Sequence, residues 1–303
     1  MVSLIEVLEK GFLTFPVSGF RHGLERFGLP RGGPMDSCRA ILANRLVGND
    51  DSAGTLEMTL LPPRLLFLVP RMFAVVGGVE NLSILRDGQK ISVDPGSSIQ
   101  ALSGDELTIG PIRTGLRAYL AVSGGILSTE LRPKPLVNGM RLSLGTVSRA
   151  ICPSVLNLPA SLSAERLLLR VTAGVQRDSF NKSSWSAFYG AAYRCTAQSD
   201  RMGIRLSGAA VPFAPNRDGN IISEGMMPGD IQITSAGQPI LMTADCQTVG
   251  GYAKIAHVIQ ADLPAVAQLR PGMTIRFRLV SVREAQDSWR KLWTELDQAI
   301  LPK

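Results

Sequence analysis

Two histidines, His22 and His257, are all that 303 residues contain, and the four cysteines, Cys38, Cys152, Cys195 and Cys246, stand apart with no CxxC spacing. Chemistry that leans on imidazole is thereby confined to two positions, and neither adjoins a GxSxG-type nucleophile. Without paired cysteines or a histidine cluster, no metal site is expected. No GxxxxGK[ST] run occurs, so a P-loop for ATP is excluded. Nowhere do about 18 apolar residues follow one another, so no membrane-spanning helix is expected. In the opening MVSLIEVLEKGFLTF, Glu6 and Glu9 interrupt the apolar run that a secretion signal needs. A cytoplasmic location follows as the expectation, and sparse unpaired cysteines suit its reducing conditions. Lys and Arg number 32 against 25 acids, a net charge of +7, but the basic residues are scattered singly and aromatics make up only 6%. That pattern gives no stripe for nucleic acid.

What is present describes an ordinary globular chain, 45% hydrophobic and 19% charged, long enough for one large domain or two modest ones. Short alternating or β-branched runs bounded by Gly, Pro, Asp or Asn predict strands at Leu4–Val7, Arg64–Leu68, Phe73–Val76, Ser83–Leu85, Ser97–Ala101, Glu106–Ile109, Arg117–Val122 and Leu167–Val171. Helices are expected at Asp36–Leu46, with Asp36 as the N-cap, at Asp178–Phe188 and at Ser281–Ile300, with a short helix or turn at Leu263–Gln268. Three stretches, SGDELTIG, NGMRLSLG and RPGMTIRF, each deliver an alternating strand from a Gly turn, an internal echo of two related β halves. Between the halves, Ile151–Glu165 is rich in Ser, Pro and Leu and reads as a linker. The expected division is 1–150, linker 151–165, and 166–303.

The run from Ser199 to Ala285 carries most of the candidate chemistry. Arg201, Arg205, Glu224, Gln232, Asp245, Gln247, Thr248, Tyr252, Lys254 and Asp262 lie among apolar strand residues there, and buried polar groups are costly unless paired. They form either an internal network or a small-molecule site. Alternation places Arg201 and Arg205 on one strand face, able to clamp a carboxylate, or else to pair with Glu224 or Asp230. In TADCQTVGGYAK, Gly250 and Gly251 read as a tight bend ringed by Asp245, Gln247, Thr248, Tyr252 and Lys254, a donor and acceptor mixture suited to an amide, urea or lactam. The alternative is a β-bulge whose polar residues cap one another. In RGGPMD, Arg31, Gly32, Gly33 and Asp36 precede a helix, where an anion can be held, or where a glycine turn and an N-cap suffice. Glu57 is expected to meet an arginine. His257 reads as a packing residue; His22, beside Arg21 in a loop, is more open to function.

Taken in order, GLPRGGPMDSCRAILANRLVGN (Gly28 to Asn49), TLE (Thr55 to Glu57), GLRAYLAVSGGI (Gly115 to Ile126), SDRMG and TADCQTVGGYAK resemble the biotin-dependent carboxyltransferase family. That family contains the C subunit of 5-oxoprolinase, the KipA-like or allophanate hydrolase subunit 2-like proteins, and one half of the carboxyltransferase of urea carboxylase. The resemblance implies a mainly β chain of two cyclophilin-like β-barrel domains with a few short helices, where alternation alone permits a sandwich. It also implies the C-type component of an ATP-dependent 5-oxoprolinase, a hydrolase that opens 5-oxoproline to glutamate, working with a KipI-like B subunit together with an A subunit. In that setting Arg201, Arg205 and Lys254 would neutralise developing negative charge while Asp245 or Glu224 moves a proton. ATP would be held by or with a partner. Two other family activities remain open: carboxyl transfer to urea from carboxybiotin supplied in trans, and a non-catalytic KipA-type regulator that binds a KipI-like partner. The family's Ser-Arg-Thr segment after YLAVSGGI is not recognisable in LSTELRPKPLVNGMRL, where Arg132 and Lys134 are the available cations.

Overall fold

Two burial patterns among the strands bear on the core, and only one of them is visible as alternation. Arg64–Phe67 and Glu106–Ile109 alternate buried and outward residues, as a half-covered strand must. Thr55–Thr59 is buried at every position, so its sequence shows no period. The computed structural model describes residues 3–128, 134–147, 154–163 and 167–302. Arg132 and Cys152 lie outside the described residues, as does part of the expected linker. The described chain groups into two units, one of residues 1–19, 36–163 and 294–303 and the other of residues 20–35 and 164–293.

The β structure described in the first unit is formed by one two-stranded pair and two large sheets. One runs, side by side, Ile126–Leu127, Arg141–Leu144, Ser3–Glu9, Arg64–Phe67, Glu106–Ile109, Leu82–Arg86 and Gln89–Ser92. The other runs Leu13–Val17, Thr55–Thr59, Ile112–Val122, Arg71–Val79 and Ile99–Ala101. Ile5, Leu65 and Leu107 from the first sheet share a core with Met58, Phe73 and Leu120 from the second. Against this β structure lies the helix Ser37–Leu46, which starts where the Asp36 carboxylate accepts the Arg39 N–H at 3.0 Å. Its Cys38, Ala40, Leu42, Ala43, Asn44 and Leu46 are all buried. The linker expectation is corrected where the chain is described: Ser154–Leu156 is a strand paired with Ile300–Pro302, and Ala160–Ser163 is a helical turn. For the same reason the last helix is Val282–Asp297, and the chain beyond it turns to strand.

The second unit is a closed barrel in the order Leu168–Ala173, Lys254–Val258, Asp230–Ile233, Pro239–Met242, Gly203–Ser207, Tyr193–Cys195, Thr274–Leu279 and back. The closing pair is parallel and the other six are antiparallel, and closure leaves no open edge in this sheet. Inside, Phe188 stacks on Phe277 at 4.8 Å beside Tyr193. The helix expected at Asp178–Phe188 divides in two. A 3-10 turn, Arg177–Ser179, is followed by extended Phe180, and the helix Lys182–Gly190 starts only after Asn181 and Ser184 form a capping box. A two-stranded ribbon, Asn220–Gly225 with Val249–Tyr252, completes the unit.

Candidate functional site

Four neighbouring barrel strands place Arg205, Ile240, Gln232 and Lys254 in one lateral row, because Arg205 pairs with Ile240, Ile240 with Gln232, and Gln232 with Lys254. Ile231 and Ile233 face the core, so alternation turns Gln232 to the outer face of the barrel. A shift of register between Ile231 and Gln232 is the bulge that brings Lys254 into line. Although it faces outward, Gln232 is only 2% exposed, covered by the ribbon. Its Nε2 donates to the Tyr252 carbonyl at 3.2 Å and to Met226 Sδ at 3.4 Å. Its Oε1 accepts no hydrogen bond among the described residues.

Among the cavities bordered by described residues of this unit, two take in the candidate residues. The smaller, of about 330 Å³, is bordered by Arg205, Gln232, Ile240, Gln247 and Tyr252. The larger, of about 500 Å³, has His22, Glu25 and Arg31 on its wall together with Met226, Gln247 and Thr248. Gln247 belongs to both. The larger cavity is also lined by Cys246, whose thiol is pushed up to about 12, first by burial, so it stays protonated and is not a nucleophile at neutral pH.

The expected cationic clamp is not formed as the alternation implied. Arg201 precedes the strand that carries Arg205, in the turn before Gly203. Its Nε donates to Asp245 Oδ2 at 2.7 Å and its Nη2 to the Gly33 carbonyl at 2.7 Å. Arg205 is exposed and makes no ion pair among the described residues. Lys254 is bonded to the Glu224 carboxylate and donates to the Gly225 carbonyl at 2.9 Å. Gln176, for which the sequence holds no distinguishing signal, closes this group by donating to Glu224 Oε1 at 2.6 Å and accepting the Lys254 backbone N–H at 3.0 Å. The Lys254 hydrogen bond, ahead of other causes, holds the Glu224 carboxyl below its ordinary range. Neither Glu224 nor Asp230 meets Arg201 or Arg205. Asp230 instead faces His257 Nδ1 at 2.8 Å and accepts the Met227 N–H at 3.0 Å.

The double glycine is not a bend. Gly250 and Gly251 lie within the strand Val249–Tyr252, and neither has a left-handed φ. Gly250 is required for a different reason: a Cβ there would stand 2.7 Å from Gln232 Nε2 and 3.0 Å from Met226 Sδ. The RGGPMD run is divided as well. Arg31, Gly32 and Gly33 go with the barrel unit, where Gly32 N–H donates to the Ala244 carbonyl at 3.0 Å. Asp36 goes with the other unit, is fully buried, and fills its helix N-terminus with its own carboxylate while pairing with Arg39. That helix start is therefore occupied by its own cap. Glu57 does meet an arginine, Arg117, at 3.5 Å, and accepts the Tyr119 hydroxyl at 2.6 Å across the strand pair. Burial, followed by the neighbouring Glu57 charge, keeps that hydroxyl protonated.

Among the described residues no three His, Cys, Asp or Glu gather as metal ligands, and no helix is long and apolar enough to cross a membrane. Comparison with known proteins agrees with the barrel geometry. A family model, the carboxyltransferase domain, subdomain A and B, matches residues 27–279. The C subunit of 5-oxoprolinase from Escherichia coli (strain K12) is 33% identical over 302 residues and the match covers 93% of each chain. The crystal structure of TTHA0988 superposes with a TM-score of 0.79 at 32% identity, covering 91% of this chain and 56% of that one. The urea carboxylase of Kluyveromyces lactis superposes with a TM-score of 0.85 at 27% identity, covering 100% of this chain and 31% of that one. The chain thus spans little more than half of the first solved structure and about a third of the second.

Proposed function

The chain belongs to the carboxyltransferase domain family, subdomain A and B, and from that premise we propose that it is the C-type component of an ATP-dependent 5-oxoprolinase, opening the lactam of 5-oxoproline to glutamate. The observation that carries this reading is the open acceptor of buried Gln232 in the same small cavity as the unpaired cation of Arg205. A lactam acid has the complementary groups: a ring N–H for Gln232 Oε1, a carboxylate for Arg205, and ring methylenes for Ile240. Gln247 and Tyr252 supply donors for the ring oxygen, where negative charge grows as the amide is attacked. About 330 Å³ is at the small end of ligand cavities and fits a single five-membered ring.

In this reading Arg205 binds and Gln232 orients. Arg201 with Asp245, and Lys254 with Glu224, act on the site through the loops they hold, since each cation already has its carboxylate. The KipI-like partner and the third component of the complex supply what this chain lacks, and ATP enters through one of them. The relative named as a 5-oxoprolinase C subunit, at 33% identity, supports the lactam over urea. Carboxyl transfer to urea, with biotin on a carrier in trans, is the second reading, favoured by the TM-score of 0.85 to urea carboxylase; the same small cavity would then hold the ureido group.

The test is to purify the chain with its partner subunits and measure glutamate and phosphate released from 5-oxoproline and ATP. Arg205→Ala is expected to raise KM about 10- to 100-fold, since a hydrogen bond to a charged group contributes about 1.5–3 kcal/mol. Unchanged KM removes Arg205 from the site, and turnover of urea alone with a biotinyl carrier selects the second reading.

A further inference from the structure

The lactam reading leaves the larger cavity, of about 500 Å³, without an occupant. Arg31 is the cation on its wall. The Arg31 Nε is buried and has no hydrogen-bond partner, and the guanidinium makes no ion pair among the described residues. Its position is fixed on both sides. The guanidinium carbon lies 4.8 Å from the centre of the Phe20 ring, the Arg31 carbonyl accepts the Arg21 N–H at 2.9 Å, and the next two residues are tied to Ala244 and Arg201. A cation held this firmly, with a buried donor unused, is prepared for an acceptor that comes from outside the chain.

The nearby carboxylates are already engaged. Glu25 lies on the same wall, but its carboxyl is held low first by N–H groups of its own turn, with Arg31 a lesser influence. Asp230 is taken by His257 and the Met227 N–H, and Asp245 by Arg201. The same cavity is lined by Met226, Met227 and Pro228, an apolar and polarisable surface, with Gln247 and Thr248 as neutral donors.

We propose that this cavity is a second ligand site, for an oxyanion, phosphoryl or carboxyl, carried on an apolar body. Arg31 pairs with the oxyanion, Thr248 and Gln247 complete its hydrogen bonds, and the methionines and Pro228 receive the body. Gln247 lines both cavities, so the two ligands meet at one side chain. The proposal does not rest on the lactam reading.

Calorimetric titration of the full chain, at constant ionic strength, with phenyl phosphate and separately with benzoate tests it; 5-oxoproline serves as the third titrant. At least one of the two aryl oxyanions is expected to bind saturably, and which one tells a phosphoryl source from a carboxyl source. Arg31→Met is expected to weaken that binding at least tenfold and Arg205→Met to leave it unchanged. Arg31→Lys, which keeps the charge and loses the Nε donor, is expected to fall between, and Thr248→Val to weaken binding without touching Arg31. Absence of saturable binding by both oxyanions, or affinity that survives Arg31→Met in a folded protein, overturns the proposal. Arg31-dependent oxyanion binding without any 5-oxoproline binding leaves it standing and removes the lactam reading alone.

Discussion

Gln232 becomes a candidate ligand group through the path of its strand rather than through its neighbours in sequence. The residues on either side of it go into the barrel core, and the ribbon then covers the outward face that would otherwise be in water. Its amide hydrogens are spent and its oxygen is not. Gly250→Ala tests that arrangement, because the added Cβ meets the end of the Gln232 side chain and not fixed backbone. The Gln232 amide is expected to swing away, with a stability loss of about 1 kcal/mol and a far larger loss of 5-oxoproline affinity. Thermal unfolding and calorimetry on the same sample check it; equal affinity would show that Gln232 does not touch the ligand. Gln232, Gln247 and Tyr252 were legible as candidates because polar side chains among apolar strand positions need partners or a ligand, and the structure brings all three to one cavity. The pairing of Arg201 with Asp245 was not, since the two stand 44 residues apart and only the barrel brings them together.

At the scale of elements, the ribbon Asn220–Gly225 with Val249–Tyr252 is held to the barrel by the Gln176, Glu224 and Lys254 group. Its ends continue into Met226 and back from Gln247 and Thr248, which border the cavities, so loosening the ribbon is expected to loosen the candidate site. Lys254→Met is expected to cost roughly 1–3 kcal/mol, between the values for exposed and buried pairs, because the Lys254 ammonium is buried while Glu224 is 39% exposed. Amide exchange in residues 221–225, corrected for the intrinsic rate, should rise well above that of the barrel strands; a rise spread evenly over the unit would refute the local clamp. The same group gives a pH dependence. Glu224 has a folded pKa below its ordinary value of 4.5, so its contribution is present above that value and is lost as pH falls through the lower folded one. Ribbon exchange should therefore accelerate on acidification below about pH 4.5 in the wild type and be insensitive there in Lys254→Met. Single helices and alternating strands were legible at this scale, as Asp36 capping its helix shows. Fully buried Thr55–Thr59 was not, and the Gly250–Gly251 bend was misplaced because a glycine pair reads the same in a turn and under a close-packed side chain.

For the whole molecule, the chain does not divide at one point. Residues 20–35 pack with residues 164–293, through the Gly32 bond to Ala244, the Arg201 bond to Gly33, and Met35 beside Ala244 and Ala267. A fragment of residues 164–293 is expected to bind a peptide of residues 20–35 and to gain unfolding temperature from it, while Arg201→Ala in the fragment should abolish most of the gain. A fragment indifferent to the peptide would show that the segment is not part of this fold. By itself the sequence determined the mainly β class, the family, the Gly-initiated strands and the polar density of the run from Ser199 onward, because local periodicity, turn chemistry and motif order are written in neighbouring residues. Only the tertiary structure decided which cation keeps a free charge, which amide keeps a free oxygen, and that the polar set lines two adjoining cavities. Those outcomes depend on strand register and on covering segments distant in sequence, and a register shift of one residue turns every side chain of a strand to its other face.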